Sequence, residues 1–217
     1  MEWRLLEGVP AEDVRQLLSV ARRRRFRRGE VVFHRDDPAD SVHLIAKGRF
    51  AVRVMTQLGE PATIAVRGPG DSFGEMALAG RDWRRTATVE ALEEAETFCV
   101  YQGDFERLRS EQPQINQVLI AFLANEVRML DERLLEALYL PAERRVLRRV
   151  VELAELYASG EGPVEVPLTQ EELAGLAGTS RPTVNQVLRE EQERGTVELK
   201  RGRTIVLDPE ALAGRAR

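Results

Sequence analysis

The chain is poor in the residues that most small-molecule chemistry needs. It has one cysteine, Cys99, and two histidines, His34 and His43, in 217 residues. A lone cysteine cannot close an internal disulfide, and it excludes metal or iron–sulfur sites built on several thiolates. Cys99 sits inside ETFCVY, where it reads as a small buried apolar residue. His34 and His43 read as ordinary strand or loop residues. Two histidines without a third do not make the metal cluster of a cupin-type enzyme, and no serine–histidine–acid arrangement stands out. No apolar run approaches the length of a membrane span. The N-terminus MEWRLLEGVPAEDVRQLL is acidic and amphipathic, unlike a secretory leader, so a cytoplasmic location is expected, with no membrane partner and no enzymatic activity. Charge of one sign is also missing. The formal net charge is -4, so a nucleic-acid partner would have to meet a local basic surface.

What is present falls into three stretches. Val14, Leu17, Leu18 and Ala21 mark a short helix over residues 10–21. From Arg24 to about Tyr101 the runs VVFH, SVHLIA, RFAVRVM, ATIAV, TATVEAL and ETFCVY alternate with turn residues. Those turns are at Gly29, Asp36-Asp37-Pro38, Gly48, Gly59 and Gly68-Pro69-Gly70. Short, evenly spaced strands predict a compact β-barrel or jelly roll. The arginines at 22–25, 27 and 28 read as the solvated, salt-bridged edge of its first strand.

Beyond Pro113, Leu119, Leu123, Val127, Leu130, Leu134 and Leu138 recur every three or four residues, with no Gly or Pro from Gln114 to Leu140. This predicts a helix of roughly 27 residues, about 40 Å long. One narrow apolar stripe on such a helix is the seam of a coiled coil, here Leu119, Leu123, Val127, Leu130 and Leu134, pairing two copies as a homodimer. The competing reading is a helix lying on its own barrel. Pro141 breaks the ladder and marks a hinge and boundary. The expected division is a roll over 1–111, a long helix over 112–140 and a third domain over 141–217, in an α+β chain.

The third domain opens with a helix over about 142–158, then carries LTQEELAGLAGTSRPTVNQVLREEQERG. Thr169 and Glu172 make a capping box. Ala174 allows two helices to cross closely, Gly178 allows a tight left-handed turn, and Leu173, Val184 and Val187 form the packing face. Pro182 suits the first turn of the second helix. That helix would expose Arg181, Thr183, Asn185, Gln186 and Arg189. TVELKRGRTIVL then reads as a hairpin tipped by Lys200, Arg201 and Arg203. The set is a winged helix-turn-helix: the second helix reads base edges in the major groove and the wing cations meet phosphates. Thr169, Gln170, Ser180 and Pro182, at the starts of the two helices, complete the DNA-facing group. From Tyr139 onward there are 12 Lys+Arg against 13 Asp+Glu. The acids Glu171, Glu172, Glu190, Glu191 and Glu193 can sit on faces turned away from DNA. A helical hairpin for protein contacts is the competing reading.

FGEMALAGRDWRRTATV, residues 73–89, is the second signal. Gly70, Gly74 and the turn before them free amides to form an anion nest. Arg85 offers a fork for a phosphate, Thr86 a hydroxyl, and Glu75 an acceptor for a sugar hydroxyl. Phosphate plus ribose in one compact site describes a nucleotide, and one phosphodiester held without metal suits a cyclic one.

The roll, the FGEMALAG…RRTATV cassette, the long helix and TSRPTVNQVL together resemble the Crp–Fnr family of bacterial transcription regulators, and within it the cAMP-receptor branch. The resemblance covers nearly the whole chain. It implies that Glu75 holds the ribose 2′-hydroxyl, that Arg85 and Thr86 hold the cyclic phosphate, and that Gly74 and Met76 contribute backbone. It implies cAMP as an allosteric effector with no prosthetic group, promoter DNA as partner, and RNA polymerase as a further partner through the loop 158–167. Leu130 and Asp131 stand where the best-known cAMP-binding members offer a Thr-Ser pair to the adenine, and this leaves cGMP open. Pro182 replaces a base-reading glutamate and Gln186 an arginine, which implies a shifted operator sequence. A family member with a vestigial pocket that binds DNA without effector, and a cyclic-nucleotide module acting on a protein partner, are the alternatives.

Overall fold

A computed structural model describes residues 3–7, 10–56, 59, 61–78, 84–113, 115–160 and 162–216, with backbone alone for Leu5, Gln117, Val118, Ala121, Phe122 and Asn125. The chain divides into two compact units. One comprises Met1–Pro61 and Ala65–Leu130, the other Ala62–Ile64 and Asp131–Arg217.

In the first unit, helix α1 (Ala11–Val20) leads into strands β1 (Arg22–Phe26), β2 (Val31–Phe33), β3 (Ser41–Lys47), β4 (Phe50–Met55), β5 (Pro61–Arg67), β6 (Ser72–Phe73), β7 (Thr88–Ala91) and β8 (Ala95–Tyr101). They pair into two four-stranded sheets, ordered β1-β8-β3-β6 and β2-β7-β4-β5. Period-two alternation sorts the side chains of β3. Ile45 joins Phe26, Phe73 and Ala95 from its own sheet and Phe50, Val89 and Ala91 from the other in one buried cluster between the sheets. Val42 and Leu44 instead join Val100, Trp3, Leu17, Phe105 and Leu108 in a second cluster under the helices. Trp3 is fixed there by donating from Nε1 to the Ile45 carbonyl at 2.9 Å. The β1 arginines are exposed, and Arg23 and Arg25 share Glu96 across the β1–β8 ladder.

Helix α2 (Gln102–Glu111) follows the last strand of the roll, and α3 (Ile115–Tyr139) is the long helix. Sequence periodicity did not reveal α2, because only Phe105 and Leu108 are buried in its ten residues. On α3 the seam divides. Leu119 and Leu123 are half-buried against the roll's second cluster, while Val127, Leu130 and Leu134 are exposed. Ile120, missed in the stripe, is 58% exposed.

The second unit contains α4 (Ala142–Tyr157), β9 (Val164–Val166), α5 (Gln170–Ala177), α6 (Arg181–Glu193), β10 (Val197–Lys200), β11 (Arg203–Val206) and a C-terminal α7 (Pro209–Ala216) that the sequence reading did not anticipate. The hairpin β10–β11 is joined by β9 in a three-stranded antiparallel sheet. Val146, Val150 and Leu153 of α4, Leu173 and Ala174 of α5, Val184 and Leu188 of α6, and Leu212 of α7 are all buried. Pro141 caps α4, and the corner beside it is braced. Arg145 donates to the carbonyls of Leu140, Ala177 and Gly178, each at 2.9 Å. Glu136 accepts from Arg148 at 2.7 Å and also pairs with Arg149. A cation over helix C-terminal carbonyls is well placed, because those groups have no partner within their own helices.

Candidate functional site

Two groups of the anticipated residues can be located, one in each unit. The first lies where β6 ends. Gly74 has φ +82, and a Cβ there would meet Arg85 Nη1 at 2.5 Å and the Ser41 carbonyl at 2.9 Å. Only glycine lets the backbone pass that close to the guanidinium. A short 3-10 turn, Glu75–Leu78, follows and carries Glu75 and Met76. Residues 79–83 of the cassette lie outside the described residues.

Arg85 is 4% exposed. Its Nη1 donates to the Ser41 carbonyl at 2.7 Å and the Gly74 carbonyl at 3.2 Å. Its Nη2 donates to Asp40 Oδ1 at 3.1 Å and Ser41 Oγ at 3.0 Å. The guanidinium lies 4.0 Å above the Phe33 ring, and Nε has no hydrogen-bond partner among the described residues. Burial pulls its pKa down while the Asp40 carboxylate pushes back. Glu75 carries no described hydrogen bond from another residue. Burial raises its pKa above the usual carboxylate range, its own backbone amide opposes this, Glu126 adds to it, and Arg67 and Arg85 oppose it. Arg67 in turn bonds Glu126 of α3 at 3.3 Å. Thr86 is exposed.

Gly74, Glu75 and Arg85 thus come together, with Met76 and Thr86 adjacent in the chain. Leu130, 63% exposed, and Asp131 lie on the solvent face of α3, the last residue of one unit and the first of the other. Sequence reasoning missed Asp40, Ser41 and Phe33, which hold Arg85 from 45, 44 and 52 positions away. The run DDPADS carried no spacing signal for them. Beneath the arginine, His43 stacks on Phe73 with centroids 4.9 Å apart. Burial first, then Arg85 and Arg24, lowers its pKa to about 3, so it stays neutral. Among the described residues no three metal-binding side chains come together, and no helix is long and apolar enough to cross a membrane.

The second group lies on α5, α6 and the hairpin. Thr169 Oγ1 accepts from the Glu172 amide at 3.2 Å, and Glu172 Oε2 accepts from the Thr169 amide at 2.8 Å, closing the capping box. Gly178 ends α5 in the left-handed conformation, φ 59. Ser180 caps α6, and Pro182 occupies its first turn. Arg181, Pro182, Gln186 and Arg189 are exposed along α6, with Thr183 and Asn185 half-exposed. Asn185 Oδ1 accepts from Gln170 at 3.4 Å, and Gln186 donates to Glu190 at 3.2 Å.

A cleft of about 470 Å³ opens between the N-terminus of α5, Arg181 and the hairpin tip, with Thr169, Gln170, Lys200, Arg201 and Arg203 on its walls, and Glu171, expected to face away from DNA, lines it too. Arg203 pairs with Glu165 at 3.0 Å and Lys200 with Glu198 at 3.4 Å. Arg181, Arg189 and Arg201 have no ion-pair partner among the described residues. Such exposed pairs are weak and exchange readily for phosphates. A helix N-terminus and five cationic or amide side chains around one cleft suit an anionic polymer.

Comparison with known proteins agrees with both halves. Residues 23–112 match the cyclic nucleotide-binding domain family, and residues 144–215 match the Crp-like helix-turn-helix domain family. The class is a transcription regulator that joins a cyclic nucleotide-binding domain to a DNA-binding head. The chain is 34% identical over 198 residues to the "Cyclic AMP receptor protein" of Thermus thermophilus, covering 91% of this chain and 89% of that one. It is 28% identical over 216 residues to the "CRP-like cAMP-activated global transcriptional regulator" of Mycobacterium tuberculosis, covering 98% and 96%. The solved structure of FixK2 from Bradyrhizobium japonicum shares the fold, with a TM-score of 0.75 at 22% identity over 90% of this chain and 96% of that one. The chain belongs to the Crp–Fnr family of transcription regulators.

Proposed function

We propose that the chain is a homodimeric regulator whose binding to promoter DNA is gated by cyclic AMP. The carrying observation is the pairing of a buried guanidinium, Arg85, with a half-buried carboxylate, Glu75, that has no described donor from another residue, both framed by a glycine that no other residue could replace. A cyclic phosphodiester supplies the anion for Arg85, with Thr86 and the Gly74–Met76 backbone beside it. Its ribose 2′-hydroxyl supplies the donor for Glu75. The base then meets Leu130 and Asp131 on the long helix. The division is a roll over 1–111, a dimerisation helix over 112–140 and a reading head over 141–217. In that head Arg181, Thr183, Asn185, Gln186 and Arg189 face base edges. Thr169, Gln170, Ser180, Pro182 and the wing cations Lys200, Arg201 and Arg203 face the backbone. Val127, Leu130 and Leu134 form the exposed part of the dimer seam, with Leu119 and Leu123 at its roll end. The regulator works in the cytoplasm and meets RNA polymerase at promoters.

One observation favours a second reading. Arg85 already spends four hydrogen bonds on its own chain, so a family member that needs no effector is the alternative. A duplex enriched from a random library by the full-length protein separates the two. Under the first reading, binding to that duplex tightens five- to 150-fold, roughly, on adding cAMP, and Arg85→Ala loses the response while remaining a folded dimer. Equal affinity with no ligand, with cAMP and with cGMP decides for the second.

A further inference from the structure

The buried face of α6 carries Val184, Val187 and Leu188, and one turn later Glu191. A carboxylate therefore stands where helical spacing calls for an apolar side chain, and it is only 1% exposed. Its oxygens accept from Thr196 Oγ1 at 2.6 Å, Arg194 Nη1 at 2.7 Å and Arg215 Nε at 3.0 Å, and Arg215 Nη2 closes a two-pronged pair. Burial alone would push its pKa up. The bonds from Arg215, Thr196 and Arg194 outweigh this and hold it below the ordinary value, so the group is ionised.

Those donors come from three places: the C-cap of α6, the residue that opens the hairpin, and α7. Thr196 is the junction. Its amide donates to the Glu191 carbonyl at 3.0 Å, and its carbonyl accepts from Leu207 at 2.8 Å and Asp208 at 3.2 Å, where β11 ends. Both ends of the hairpin are thus referred to one residue of α6. Next to it, Gln192 Oε1 accepts from the Leu199 amide at 3.0 Å.

Stability does not account for a charge at this position, since well-packed apolar groups commonly replace a buried ion network without loss. A leucine would fill the space but could not set direction. A carboxylate with four directed bonds fixes where the hairpin leaves the helix. We propose that Glu191 is a positioning residue that registers the β10–β11 wing against the recognition helix so that both meet one duplex. It rests on the reading that α6 and the wing contact DNA, and it assigns the alignment of those two surfaces to an interior carboxylate that touches neither base nor phosphate.

The test uses the full-length protein, the enriched duplex described above with cAMP present, and two variants, E191L and E191L/R215M. The double variant also removes Arg215, the less exposed of the two cations that would lose this partner; Arg194 is exposed and keeps Glu190. Three readings are taken: hydrogen exchange of the hairpin amides 197–206, the dependence of DNA affinity on salt, and the effect of adding R201A. The expected result is a folded protein whose hairpin amides exchange at least about tenfold faster. Its salt slope is shallower by about 1 for each phosphate contact the wing gives up. R201A, costly in the parent, then has no further effect. A protein that was merely destabilised would lose active fraction without changing the slope. Hairpin exchange equal to the parent's overturns the assignment, and so does a cost of R201A as large in E191L/R215M as in the parent. A parent that enriches no duplex refutes the DNA reading itself, while hairpin exchange still decides whether Glu191 holds the wing.

Discussion

Arg85 faces a competition that a single residue decides. In the described state Asp40 Oδ1 sits 3.1 Å from its Nη2, on a side chain 65% exposed. A phosphate oxygen and this carboxylate want the same guanidinium face, and two anions sharing one arginine repel each other. If the proposed cyclic phosphate binds Arg85, Asp40 is its internal competitor. Asn at this position keeps the shape and an acceptor but drops the charge. Asp40→Asn is expected to tighten cAMP binding about three- to tenfold, the worth of one partly exposed charge-assisted bond. Stability should change little, because Ser41 and Gly74 still hold the guanidinium. Calorimetric titration at fixed pH and salt reads this directly. Weaker binding by the Asn variant would mean that Asp40 orients the fork for phosphate instead of blocking it. The sequence offered Arg85 and Glu75 through their spacing in one cassette. Asp40 was illegible because the loop that delivers it is distant in the chain. The burial of Glu191 was illegible for a related reason: a glutamate on an amphipathic helix is normally solvated, and this one is met by an arginine 24 residues away.

At the scale of elements, α3 carries the argument. Ile120, Val127, Leu130, Leu134 and Leu138 are each more than half exposed in the single chain. Five large apolar side chains at spacings of three, four and seven form a stripe that solvent does not favour and that a second α3 would cover. Leu134 lies near the middle of the exposed half and is itself 57% exposed. Leu134→Asp is therefore expected to leave thermal stability of the monomeric fold within about 0.5 kcal/mol, while shifting sedimentation from dimer to monomer. A variant that remains a dimer at micromolar concentration would move the interface off this helix. The sequence made the helix plain and the direction of its faces less so. Adjacent apolar pairs such as Leu119-Ile120 and Leu134-Leu135 satisfy the period equally well in two phases, and only packing on the roll selects Leu119 for the inside. The elements around the second site were easier to read, because Thr169, Gly178, Pro182 and Gly202 each carry a local backbone rule. Helix α2 has no side-chain cap and buries only Phe105 and Leu108, so it depends on neighbours that local rules do not see. Helix α7 does carry a local signal that the sequence reading passed over: Asp208 accepts from the Ala211 amide at 2.9 Å, with Pro209 in the first turn.

Across the whole molecule, two units with separate cores meet in sequence between Leu130 and Asp131, within one unbroken helix. Pro141 looked like the flexible point, yet Arg145 and Glu136 tie the end of α3 to α4 and α5. On the proposed reading, a ligand that acts on the head acts through α3, where its base is proposed to meet Leu130 and Asp131. Such gating is a coupling free energy, and it is reciprocal. If cAMP tightens the protein's grip on the enriched duplex by some factor, saturating duplex must tighten its grip on cAMP by the same factor. Typical couplings of about 1–3 kcal/mol correspond to factors of roughly 5 to 150. Two titrations measure it: duplex into protein with and without saturating cAMP, and cAMP into protein with and without saturating duplex. Equal factors above one are expected. Factors of one in both directions would leave the nucleotide without influence on DNA, the outcome that favours constitutive binding. Because the cycle must close, unequal factors would mean that one titration had not reached equilibrium or that the dimer had dissociated during it, and a factor of one in both directions is the result that removes the gating.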